Sequence, residues 1–121
     1  MIAAKYDITI DRAAVYSFVL TVRNDLQQLV DLSEDTFFYS DIREIGSKKE
    51  AVSFTPTLIG DGSSGQVSFN LSQEDTLELK PSKEYEYDIF MRRDGSTQRL
   101  VFGSVAVRAN ITKGQPIDPI N

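Results

Sequence analysis

The chain has 121 residues, 40% of them hydrophobic and 26% charged, which is the balance of one ordinary folded domain with one core. It contains no cysteine and no histidine, so disulfides and thiolate metal sites are excluded, and the commonest general base and metal ligand is missing. A net charge of −5 opposes binding to nucleic acid without a strongly localised basic patch, and no apolar run approaches the ~20 residues of a membrane-spanning helix.

The N-terminus, Met1-Ile2-Ala3-Ala4-Lys5, lacks the basic region and long apolar stretch of a secretion signal and reads as a short arm, residues 1–5. The expectation is a soluble protein made in the cytoplasm, with no membrane partner. Tyr6, Ile8 and Ile10 alternate with Asp7, Thr9 and Asp11, which predicts a first strand. Residues 11–14 form a tight connection. Residues 15–22 predict a second strand, with Tyr16, Phe18, Leu20 and Val22 sharing one face. Arg23-Asn24-Asp25 is a turn. Leu26, Leu29, Val30 and Leu32 have mixed spacing, compatible with a short helical turn or with a loop carrying apolar plugs.

The third strand runs from Thr36 to about Ile45. Phe38, Ser40 and Ile42 share one of its faces, Phe37 and Tyr39 the other. After a charged turn at 46–50, Val52, Phe54 and Leu58 predict a single fourth strand, in which Pro56 marks an edge or a bulge because it cannot donate to a ladder. Asp61-Gly62-Ser63-Ser64-Gly65 is a flexible hairpin loop. Val67, Phe69 and Leu71 define the fifth strand. Ser72 with Asp75 three residues later resembles a capping box for a short helical turn that ends before Pro81.

The last two strands flank Asp94-Gly95, a strong hairpin signal. Before it, Tyr85, Tyr87, Ile89 and Met91 face one way; after it, Val101, Gly103, Val105 and Val107 alternate with Leu100, Phe102, Ser104 and Ala106. Gly103 interrupts a valine-rich run and marks a bulge or a close backbone approach. The tail, residues 114–121, carries Pro116 and Pro119 beside Ile117 and Ile120 and reads as extended. Together these runs predict an all-β fold over residues 6–113: a seven-stranded, immunoglobulin-like antiparallel β-sandwich with a short helical turn.

Candidate chemistry is sparse. Asp31, Glu34, Asp35 and Asp41 cluster in sequence but lack regular ligand spacing, and Asp61-Gly62-Ser63 lacks the distal bidentate acid of a calcium loop. Both read as solvated turns, and neither a metal nor a cofactor is expected. No G-x-S-x-G elbow exists, and Ser47-Lys48 and Ser82-Lys83 read as exposed turns, so no catalytic residue is assigned. Arg92, Arg93 and Arg99 near one turn read as edge charges rather than a nucleic-acid patch. Phe37 with Tyr39, and Phe90 with Phe102, fall opposite the main apolar pattern and suit either local packing or an inter-subunit contact.

The order of features, Tyr6-Asp7-Ile8-Thr9-Ile10-Asp11, then Val67-Ser68-Phe69 after a Gly-rich loop, then Tyr85-Glu86-Tyr87-Asp88-Ile89, Asp94-Gly95 and Gly103-Ser104-Val105-Ala106-Val107, resembles the small immunoglobulin-like virion proteins of tailed bacteriophages. It is similar to the N-terminal domain of the phage baseplate upper protein family over about residues 6–112. The resemblance implies a non-enzymatic structural role at the tail, baseplate or fibre attachment, in a virion assembled in the host cytoplasm. The implied partners are other virion proteins, met as a homo-oligomer or as multiple copies on a symmetric assembly. In that family the domain is usually followed by a helical or fibrous segment, whereas this sequence ends at Asn121, so an adaptor, plug or decoration is expected rather than a fibre shaft. A capsid decoration protein and a carbohydrate-binding module are the alternatives. The expected interaction residues are Arg92, Arg93, Asp94 and Gly95 at the hairpin tip, Phe37 and Tyr39, and Pro116, Ile117, Pro119 and Ile120 in the tail.

Overall fold

A computed structural model describes residues 3–111. Among these, nine strand segments and one helix follow in order: β1 Ala4–Lys5, β2 Ile8–Asp11, β3 Tyr16–Thr21, β4 Thr36–Glu44, β5 Glu50–Ser53, β6 Thr55–Leu58, β7 Gln66–Leu71, α1 Gln73–Leu77, β8 Tyr85–Arg93 and β9 Ser96–Arg108. A six-stranded sheet has the order β9-β8-β4-β5, with β1 and β2 both parallel along the outer side of β9; a three-stranded antiparallel sheet has the order β3-β7-β6. The two pack face to face as an all-β sandwich.

The dry faces are those the alternation predicts. Tyr85, Tyr87, Ile89 and Met91 are buried from β8, Phe38, Ser40 and Ile42 from β4, and Val67, Phe69 and Leu71 from β7. Phe69 sits at the centre, stacked on Phe18 at 5.5 Å and edge-on to Phe38 at 5.7 Å. Each buried Val, Leu, Ile, Phe or Met among these contributes about 1.5–3 kcal/mol by leaving water, and the offset and edge-on ring geometries add to that.

Seven predicted runs become nine segments for two local reasons. Ala4 and Lys5, expected in an arm outside the sandwich, pair with β9 as β1, and the strand expected from Tyr6 starts only at Ile8, because the Asp7 carboxylate accepts from the Ser104 backbone N–H at 2.9 Å in place of a main-chain ladder partner. The run 52–58 is not one strand. Val52 pairs with Ile42 in the large sheet, Phe54 N–H donates to Ser40 at 2.9 Å, and Thr55 already pairs with Asn70 in the small sheet. The chain thus changes sheets at Phe54. Pro56 lies in β6, an edge strand, one of the two placements its missing N–H allows.

A second departure concerns Leu100. Ile89 pairs with Val101 but Phe90 pairs with Arg99, so Leu100 is the extra residue of a bulge. It is buried together with Val101, not turned outward with Phe102 as strict alternation requires. The segment 26–32 is a loop in which Leu32 is the buried plug, while Leu26 and Leu29 are exposed.

The helical turn forms where the cap predicts it. Ser72 Oγ accepts from Asp75 N at 3.1 Å and Asp75 Oδ2 accepts from Ser72 N at 3.0 Å. At the other end Arg12 donates to the carbonyl of Leu77 at 3.1 Å, a group that a helix C-terminus leaves without a partner, and to that of Leu79 just beyond it at 3.0 Å.

Candidate interaction surfaces

The β8–β9 hairpin is closed by the two-residue loop Asp94-Gly95, with φ of +52° and +78°. Positive φ at both positions matches the right-handed strand twist, and Gly accepts it without steric cost. The tip is held against the loop before β4: Asp94 N–H donates to the Asp35 carbonyl at 3.3 Å, and Arg93 pairs with Thr36 across the ladder. Arg93 also lies 3.8 Å from the Asp94 carboxylate. Asp31, Glu34, Asp35, Arg93 and Asp94 therefore line one small polar notch of about 140 Å³. Asp41 is not part of it; it lies beside Arg43 on the outer face of the large sheet.

The carboxylates of the two loops are occupied locally. Asp31 accepts from the Ser33 hydroxyl and backbone at 2.6 and 2.9 Å, and Asp61 does the same with Ser63. These serine bonds hold both carboxyls below their ordinary range. Among the described residues no group of His, Cys, Asp or Glu is arranged to hold a metal ion.

Phe37 and Tyr39 point outward from β4, in the large sheet, and remain 58% and 54% exposed. Arg92 stands opposite Phe37, and Phe90 opposite Tyr39. Phe90 and Phe102 are only half-exposed, and the Arg99 guanidinium covers Phe102 at 4.6 Å from the ring centre. Of the four off-pattern aromatics, then, two are bare and two are partly sheltered. Further along the same face lies an open depression of about 290 Å³, lined by Asp41, Arg43, Glu86, Asp88 and Arg99 among others. Burial is the largest influence on Asp88 and raises its pKa, against the opposing pull of Arg99 at 3.7 Å.

The terminal elements divide. Ala4 and Lys5 pair with Val101 and Phe102 as part of the large sheet. The tail residues Pro116, Ile117, Pro119 and Ile120 lie outside the described residues.

One surface escaped sequence reasoning: the outer side of β3. Its partner β7 lies on one side, and no strand pairs with the other among the described residues. The available signal was the uncharged run 13–22, bounded by Arg12 and Arg23; local pattern gives the face of such a strand but not its position in a sheet. No protein-family model matches the chain, and no curated protein matches it.

Proposed function

We propose that this chain is a non-enzymatic structural protein of a tailed phage virion, an adaptor in the tail, baseplate or fibre-attachment region that docks through sheet edges and terminal arms. The observation that carries the reading is the bare pair Phe37 and Tyr39 in the large sheet, an apolar surface suited to burial between subunits. Several features support an immunoglobulin-like type for the sandwich. The N-terminal strand runs parallel beside the last strand, the chain changes sheets after β5, and Tyr85 Oη accepts from Lys80 N–H at 2.9 Å, in the manner of a tyrosine corner.

The test is incorporation. Deleting residues 114–121 leaves the sandwich folded and lowers the amount of this chain found in purified particles. Unchanged incorporation contradicts docking through the tail. A second reading, a carbohydrate-binding module, is favoured by the same exposed rings, because sugars stack on bare aromatics; it requires Phe37 and Tyr39 to remain open in the working protein.

A further inference from the structure

We infer that the free edge of β3 is a self-association edge, at which a second copy of this chain adds its own β3 in antiparallel register about Val19. The inference deepens the docking reading above by naming the edge and its occupant.

Backbone parity fixes what this edge offers. Val22 N–H donates to Gly65 at 2.7 Å, so in the β3–β7 register the even positions Tyr16, Phe18, Leu20 and Val22 bond to β7. In an antiparallel ladder the alternate residues point the other way. Ser17, Val19 and Thr21 therefore direct their N–H and C=O groups outward.

Sheet edges are ordinarily blunted by charge, proline, shortness or irregularity, and the other three edges of this sandwich are. The N-terminal strand carries Lys5, Asp7 and Asp11, with Lys5 paired to Asp7 and Asp11 to Arg108. β5 has four residues, begins at Glu50, and joins β4 through a register shift. In β6 the ladder bond from Ile59 to Gln66 places Pro56 at an outward position, where its missing N–H removes a docking donor. β3 has six residues, Tyr16–Thr21, with no charge, proline or glycine.

The edge is complementary to itself. With Val19 on the two-fold axis, Ser17 stands opposite Thr21 of the second copy, both on the wet face, where hydroxyl pairs are favourable cross-strand neighbours. Phe18 stands opposite Leu20 on the dry face. Arg23 falls opposite Val15, which is 75% exposed, so the two copies meet without like charges in contact even though each carries −5 overall. The chain's own tail suits the edge less well. Pro116 and Pro119 have opposite parity, so a strand running through both turns one proline toward the ladder. A six-residue edge is about 20 Å long, and edge pairing alone falls short of the roughly 1,200 Å² of a stable interface. The contact is weak between free copies and strong where an assembly holds them together.

The absence of native cysteine makes the test direct. Paired Val19 residues would have Cα atoms about 5.5 Å apart, within disulfide reach. Purified Val19→Cys protein under mild oxidation is expected to form the intermolecular disulfide at least tenfold faster than Thr57→Cys on the guarded edge. Ser17→Cys is expected to cross-link with Thr21→Cys far better than with itself, and Val19→Lys, at an exposed position, to fold normally and sediment as a monomer at concentrations where the unmodified chain associates. Equal rates for Val19→Cys and Thr57→Cys overturn the inference. So does a Val19→Cys cross-link that reaches the expected rate only after residues 112–121 are deleted, which makes the tail the occupant of the edge. These outcomes concern purified protein, so their failure leaves virion docking standing, and absence from the particle leaves self-association standing.

Discussion

Gly103 shows how one residue ties the last strand to the first. A Cβ at this position would lie 2.1 Å from the Tyr6 carbonyl oxygen and 2.7 Å from its carbon, both backbone atoms that no rotamer change can move. The close approach lets the Tyr87 hydroxyl donate to the Tyr6 carbonyl at 2.6 Å, while Asp7 takes the Ser104 N–H next door. Gly103→Ala should therefore displace the N-terminal strand and cost about 1–3 kcal/mol or more, read by chemical denaturation; an unchanged midpoint would mean the strand is not seated there. Asp7 adds a pH signature. Its bond from the Ser104 amide is the largest cause of a carboxyl pKa below the ordinary 3.8. A depressed folded value stabilises fully above the unfolded pKa and is lost as pH falls through the folded one. Asp7→Asn should accordingly flatten the acid limb of stability below about pH 4, measured by denaturation across pH, and a limb of unchanged steepness would remove Asp7 from the account.

At the scale of elements, strand faces were legible and strand neighbours were not. Period-2 alternation places Phe38, Ile42, Tyr87 and Phe69 inside because the pleat alone decides it. The same alternation runs through 52–58 without a break, since the inner face of a sandwich is the inner face for either sheet; Val52, Phe54 and Leu58 keep their parity while the chain changes partners. Leu100 failed for the opposite reason: a bulge adds one residue and resets parity. The capping box was legible because all its parts lie within four residues. Ser72→Ala should cost about 1 kcal/mol, seen as a lower thermal midpoint, and Ser72→Asp should restore most of it. No loss on Ser72→Ala would mean that the Arg12 contacts alone hold the turn.

For the whole molecule, the two-sheet architecture followed from counting runs and turns, and the hairpin tip was located because Asp94-Gly95 is a local signal. Of the candidate surface, Phe37 and Tyr39 were visible as breaks in a pattern. The gathering of Asp31, Glu34 and Asp35 around Arg93 depends on the tip touching the loop before β4, a contact that sequence spacing does not encode. The edge of β3 that stays unpaired among the described residues depends on the N-terminal strand pairing with β9 instead, again a choice made between distant segments. A role for these bare surfaces in an assembly sets the copy number of this chain per purified virion, read by quantitative mass spectrometry against the major capsid protein. Small multiples of three or six are expected. Hundreds of copies would make it a capsid decoration protein, and absence from the particle would contradict the structural role and favour sugar binding at Phe37 and Tyr39.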